Sequence, residues 1–229
     1  MYTPRSFQMQ ESAIPGFLAQ YPFGQLLIVR DESRRSENDL AGSIDIGLAP
    51  FVLQKGNPGP AHLLGHIARA SPLARALETD LETGVDASVF FLGPHAYVSP
   101  KNYLSTGLVP TWNYRAVLAE GTLSTTRDHD QLRKVLDKTT QLLEGDSTDS
   151  WRPNWSDPAM EKLLASIVGI DLEVRRWSGK EKLSQNRSDD DYNRLRKNFA
   201  NSPDGQARSL AASMPERTAA SHFGETKEG

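Results

Sequence analysis

The sequence predicts a mainly β fold with flanking helices, an antiparallel barrel of about six strands with the helices packed outside it. Three observations predict it. Six segments carry strand signals: Phe23–Val29, Gly42–Leu53, Ala61–Ala68, Val85–Leu92, Trp112–Leu123 and Ile170–Trp177. Helices are few and do not alternate regularly with those strands, which argues against a doubly wound parallel sheet. No G-x-G-x-x-G or G-x-x-x-x-G-K run is present, so the nucleotide-binding α/β folds lack their fingerprint.

Each element has a local reason. Met9–Gln20 places Ile14, Phe17 and Leu18 at helical spacing, with Pro15 fitting only in a first turn. Phe23–Val29 is dense in apolar residues and reads as a buried strand. Asp31–Asp39, charged throughout, reads as a solvated turn. Gly42–Leu53 alternates Ile44, Ile46 and Leu48 and breaks at Pro50, before a turn at Gly56–Pro60. After the strand Ala61–Ala68, Ser71-Pro72 supplies an N-cap and a first-turn proline for a short helix to about Glu78.

Gly93–Pro110, rich in Gly, Pro and Tyr, reads as a loop between two strands. Asp128–Glu144 is the clearest helix: Asp128 caps it, Gln131 holds the capping-box position, and Gly145 ends it. Its inward face is predicted as Leu132, Val135, Leu136, Thr139, Leu142 and Leu143. Pro158 starts a shorter helix to Val168 with Met160, Leu163, Leu164 and Ile167 inward. Ile170–Trp177 alternates apolar and charged residues, as a half-buried strand does. A last helix is predicted over Asp189–Ala200, capped by Asp, with Tyr192, Leu195 and Phe199 on its apolar face.

Composition excludes several function classes. The 229 residues carry 26 basic and 29 acidic side chains, a formal charge of −3, which argues against a chain built to grip nucleic-acid phosphates. No helix-turn-helix pattern stands out, and Asp128–Glu144 mixes charges of both signs. Without cysteine there is no disulfide framework, thiolate nucleophile or iron–sulfur cluster. No run approaches the roughly 18 apolar residues of a membrane span. Met1–Arg5 lacks the pattern of a secretory signal, so the expected compartment is the cytoplasm.

Four segments carry polar groups that packing alone does not require. In Gly65–Arg69, His66 suits either a satisfied structural histidine or a ligand contact, and the planar fork of Arg69 matches a phosphate. His62 and His66, on one face of a strand, would lie roughly 13 Å apart, too far for one metal ion. Gly93–Tyr103 offers His95, Tyr97 and Tyr103 in a proline-fixed loop, equally suited to stacking a planar ligand or to packing a barrel corner. In Val109–Tyr114, Trp112 and Tyr114 share one strand face, and Thr111 and Asn113 offer a hydroxyl and an amide on the other. Gly179–Arg187 gathers Lys180, Lys182, Ser184, Gln185, Asn186 and Arg187 around the apolar Leu183, a donor set that suits a phosphate. The nucleophile elbow G-x-S-x-G is absent, which argues against a hydrolase.

MYTPRSF at the start, GHIARASP, GPHAYVSP, VPTWNY, IVGIDLEV and KLSQNR, in this order, resemble the PaiB family of FMN-binding negative transcriptional regulators, related to the pyridoxamine-phosphate-oxidase-like split barrels. The resemblance runs from Met1 to about Met214. It implies a six-stranded antiparallel split β-barrel of the FMN-binding type, a homodimer, and flavin bound near the subunit interface. It places His66, Arg69, Thr111, Trp112, Asn113, Lys180, Lys182, Gln185 and Asn186 at the family's motif positions, as the candidate cofactor-binding residues. Two positions depart from the family pattern: Leu48 stands where a histidine is usual, and Asn102 replaces a tryptophan in Ser99–Tyr103. On this reading residues 1–187 form the barrel domain. Residues 188–214 form a helical extension packed on the barrel or on the partner subunit, and 215–229 form a disordered tail.

Two function classes follow. One is a flavin-binding barrel with an oxidoreductase role or a role in negative regulation of transcription, any regulation acting through a protein partner or a small molecule. The alternative is a barrel without cofactor, serving as a binding module for a protein or another phosphorylated ligand.

Overall fold

A computed structural model describes residues 1–29, 44–56, 58–77 and 84–218. The turn expected over Asp31–Asp39, Asn57 in its turn, Glu78 at the expected end of a helix, and 219–229 of the tail lie outside the described residues. The elements are β1 (Phe23–Val29), β2 (Ile44–Pro50), β3 (Val52–Gln54), β4 (Ala61–Ala68), β5 (Val85–Val98), β6 (Thr111–Thr126) and β7 (Ile167–Lys182), with α1 (Ile14–Gln20), α2 (Pro72–Leu77), α3 (His129–Glu144), α4 (Pro158–Leu164), α5 (Asp189–Ala200) and α6 (Gly205–Ala212). The strands form one sheet in the order β2-β1-β5-β6-β7-β4-β3, and the β1–β2, β1–β5, β3–β4 and β4–β7 pairs are antiparallel.

Seven strands stand where six were expected, because Gly42–Leu53 divides. Up to Pro50 this stretch pairs with β1, and from Val52 it pairs with β4. Between them Phe51 is buried and its N–H bonds Pro22 O at 2.8 Å, so the chain changes partner at that residue. The long strands also outrun their predicted ends. β5 continues through Pro94 to Val98, so the first third of the expected Gly93–Pro110 loop is strand. Pro94 lies beyond the Ser88–Phe90 stretch that β1 covers, so its missing N–H costs no bond in that ladder. β7 begins at Ile167, inside the segment read as helix, and runs on through Lys182.

The chain forms two compact units, with β5, β6 and β7 contributing a stretch to each. The larger comprises Gln10–Phe91 and Val117–Ser178. Its core includes Leu26, Ile28, Leu63, Ile67, Val89 and Leu172, with Phe51 and Phe91 meeting edge to face at 5.9 Å. Gly121 of β6 is required there, since a Cβ would lie 1.9 Å from Glu173 O on β7. In α3, Asp128 caps the helix by accepting from Gln131 N at 2.8 Å, and Leu132, Val135 and Thr139 are buried. Leu143 and Leu163, both expected inward, are exposed, as each lies at the last turn of its helix. β1 is buried on one face only: Leu26 and Ile28 point inward while Phe23 and Val29 are exposed.

The smaller unit comprises Met1–Met9, Leu92–Ala116 and the chain from Gly179. Its core joins Ala96 and Val98 of β5, Tyr103 and Leu183 to the apolar faces of α5 and α6, including Tyr192, Leu195, Phe199 and Leu210. Ser188, one residue earlier than expected, caps α5 through its Oγ on Asp191 N at 3.3 Å. Helix α6 lies within the stretch 188–214 expected as a helical extension, where the Ala- and Ser-rich sequence marks no separate helix; Asp204 caps it at Gln206 N, and Ala207, Leu210 and Ala211 bury its inner side. Arg217 fixes the end of the described chain by donating to Gln185 O at 2.8 Å and Arg187 O at 3.1 Å.

Candidate functional site

The smaller unit presents an aromatic face built from the end of β5 and the start of β6. The alternation of a strand puts His95 and Tyr97 on one side of β5 and buries Ala96 and Val98 on the other. On β6 the same rule exposes Trp112 and buries Asn113. The His95 and Trp112 rings stack at 6.0 Å with 28° between their planes, and Tyr97 meets Trp112 edge-on at 6.3 Å. Trp112 and Tyr97 remain about half exposed, at 52% and 50%. Large rings held by strand backbone yet open to solvent are suited to stack on a planar ligand.

Lys182 donates from its ammonium to Thr111 Oγ1, one residue before Trp112 and, by the alternation of the strand, on its other face. The structure thus joins two of the expected site residues, Thr111 and Lys182, and sets Trp112 at the next strand position. Three of the others, Lys180, Asn113 and Gln185, spend their polar groups within the protein. Lys180 is nearly buried, donates to Tyr2 O at 3.0 Å, and lies over the rings of Tyr2 and Tyr114 at 5.8 and 5.4 Å. Asn113 is fully buried, and its Nδ2 donates to Ser184 Oγ at 3.0 Å. Gln185 folds back on its own loop, its Oε1 accepting from Leu183 N at 2.7 Å and its Nε2 donating to Glu181 O. Asn186 is exposed on the same loop.

His66 and Arg69 belong to the larger unit. Arg69 is exposed and reaches Ala165 O at 3.4 Å. The His66 ring is half-buried, and its Nδ1 is enclosed without a hydrogen-bond partner. Burial lowers its pKa from the ordinary histidine value, so the ring is neutral near pH 7. It lines an apolar cavity of about 330 Å³ with side chains of α3, α4 and the Trp151–Trp155 segment. His62, four residues earlier, bonds Asp171 at 2.8 Å. Sequence reading missed this cavity; the only signal was a pair of tryptophans four residues apart in a polar stretch.

Residues 1–176 match the model of the family described as "Putative FMN-binding domain". The chain belongs to this FMN-binding family. It is 34% identical over 160 residues to the Protease synthase and sporulation protein PAI 2 of Bacillus subtilis, covering 68% of this chain and 73% of that one. An uncharacterized protein of Emericella nidulans is 30% identical over 200 residues, covering 73% and 80%. Among solved structures, the FAD and heme binding protein from Mycobacterium smegmatis superposes with a TM-score of 0.56 at 21% identity, covering 82% of this chain and 78% of that one. The fold is therefore the mainly β, helix-flanked split barrel, with one strand more than expected, and the family's cofactor is FMN. Among the described residues, no helix is long and apolar enough to cross a membrane.

The aromatic face fits a flavin in kind, since exposed rings suit a planar heterocycle. Asn113, Lys180 and Gln185 fit it less directly, as their donors are already bonded.

Proposed function

We propose that this chain is a flavin-dependent redox protein acting as a homodimer, with FMN held at the aromatic face of Trp112, Tyr97 and His95. The observation that carries the reading is that Trp112 and Tyr97 stay half exposed although both are large rings on rigid strand backbone. Bound flavin supplies hydride and single-electron chemistry that no side chain here can provide. The protein's part is to stack the ring on Trp112, to hold Thr111 and Lys182 at the adjoining position, and to offer Lys182 as counter-charge to a phosphate or a reduced ring. No substrate-specific acid or base is needed for that role.

The dimer reading rests on the free face of β1 and β2. Their register sets Val29 opposite Ile44, Leu27 opposite Ile46 and Phe23 opposite Pro50, so these side chains share one side of the ribbon. Phe23, Val29, Ile44, Ile46 and Leu48 there are 53–69% exposed. A contiguous apolar surface of this kind on an outer strand suits the matching surface of a second copy. Leu48, the departure from the family pattern, sits on this face, where an apolar side chain adds to it.

The resemblance to the PaiB family of negative transcriptional regulators raises a regulatory role. The charge of −3 favours control through a protein or small molecule over direct DNA binding. The test is the visible spectrum of freshly purified protein, with mass spectrometry of whatever it carries. A flavin band, bleached by dithionite and restored by air, supports the reading; colourless protein that gains no thermal stability with added FMN contradicts it.

A further inference from the structure

The His66 cavity belongs wholly to the larger unit and shares no residue with the aromatic face. Its walls are mostly hydrocarbon: Leu136 of α3, Met160 and Leu164 of α4, and Ile167 of β7. Trp155 adds its apolar body, because its single donor, Nε1, is committed to Asp137 Oδ1 at 2.9 Å. That bond also fixes the indole as a flat wall. Trp151 and Leu163 line the cavity too, yet are 54% and 60% exposed, so its way to solvent runs along apolar side chains. About 330 Å³ lies within the usual range for small-molecule pockets.

Charge and shape of the lining select the guest. No Lys, Arg, Asp or Glu contributes to it, so an ion entering would lose its water and meet no opposite charge. His66 supplies no charge either: burial lowers its pKa, the ring is neutral near pH 7, and its Nδ1 is enclosed by protein. Thr140 brings one hydroxyl, which on a helix can turn to the carbonyl four residues earlier. Water finds few partners against such walls, and an apolar guest displaces it at little cost. The two indoles favour a flat guest, which can lie against their faces. We propose that this cavity is a second binding site, taking a flat, uncharged aromatic compound whose ring lies against Leu136, Met160 and Trp155.

The test uses the full-length protein and two probes of similar ring but different charge, naphthalene and 2-naphthoate, followed by the Trp155 indole N–H signal in NMR. Wild-type protein should bind naphthalene saturably and 2-naphthoate about a hundredfold more weakly, because the carboxylate would be buried unpaired. Trp112→Ala should bind naphthalene as the wild type does. Leu136→Trp fills the cavity from α3 and Met160→Trp fills it from α4. Either variant, folded by circular dichroism, should lose naphthalene binding and keep wild-type FMN affinity. Absence of saturable naphthalene binding to wild-type protein, 2-naphthoate binding within about threefold of it, or loss of naphthalene binding in Trp112→Ala would each overturn the proposal. Retained naphthalene binding in a folded cavity variant would overturn it too, and loss of FMN binding there would assign the cavity to the flavin and do the same. Wild-type FMN affinity in Trp112→Ala would count against the aromatic face while leaving this site standing.

Discussion

Asn113 Nδ2 donates to Ser184 Oγ across 3.0 Å, joining the start of β6 to the loop after β7. The Tyr103 hydroxyl lies 3.2 Å from the same oxygen, and all three side chains are buried. Ser184 holds φ = +63°, a left-handed conformation that a non-glycine residue adopts at a cost. The hydrogen bonds and the strain oppose each other at one residue, and substitutions separate them. Ser184→Ala keeps the strain and loses the bonds, so it should destabilise by about 1–3 kcal/mol. Ser184→Gly loses the same bonds but relieves the strain, and should be about 1 kcal/mol more stable than Ser184→Ala. Urea unfolding of the two variants checks the order; equal stabilities would mean that the backbone is not strained there.

Asp191 sets an acid limit on the smaller unit. Its carboxylate accepts from Leu104 N at 2.5 Å and Ser105 N at 3.1 Å, fixing the loop after Tyr103 to α5. Burial pushes its pKa up, but the hydrogen bonds from Ser105, Leu104 and Ser188 outweigh that and hold it below the ordinary carboxylate value. A carboxyl with a depressed folded-state pKa stabilises above its unfolded pKa, about 4, and that contribution disappears as pH falls through the lower folded value. Thermal melting should therefore lose stability below about pH 4 in wild-type protein, and less steeply in Asp191→Asn. Parallel curves for the two proteins would exclude Asp191 as a source of the acid response.

The β1–β2 face makes a separate prediction. Ile46→Lys places a charge at the middle of the exposed apolar ribbon, where the monomer leaves Ile46 62% exposed. The variant should fold with unchanged circular dichroism and sediment as a monomer, while the wild type sediments as a dimer. A wild-type monomer at micromolar concentration, or a variant that remains dimeric, would exclude this face as the interface.

How much of this was legible in the sequence depends on what each feature needs. Helix α3 was readable to the residue, because Asp128, Gln131 and Gly145 act over one turn of chain. The strand segments were readable, but their ends were not. Gly93, Pro94 and the aromatic residues after them carry turn composition, and only pairing within the sheet makes that stretch part of β5. The division at Phe51 depends on a bond to Pro22, and no window around Phe51 shows it. Of the site, the motif positions of Thr111, Trp112 and Lys182 can be read from the sequence, whereas His95 and Tyr97 read as a proline-fixed loop and only the strand turns them to one face. The burial of Asn113 and Lys180 was invisible, since a polar side chain in sequence does not reveal which backbone or hydroxyl will satisfy it.

The central claim is that flavin rests on the Trp112 face and engages Lys182 at the neighbouring Thr111, and FMN titration of three proteins tests it most directly. Trp112→Ala should weaken binding by about 1 kcal/mol, the order of one aromatic stacking contact. Lys182→Ala should weaken it by about 1–3 kcal/mol, as a lost charged hydrogen bond does. Wild-type affinity in both variants, each folded by circular dichroism, would contradict the account.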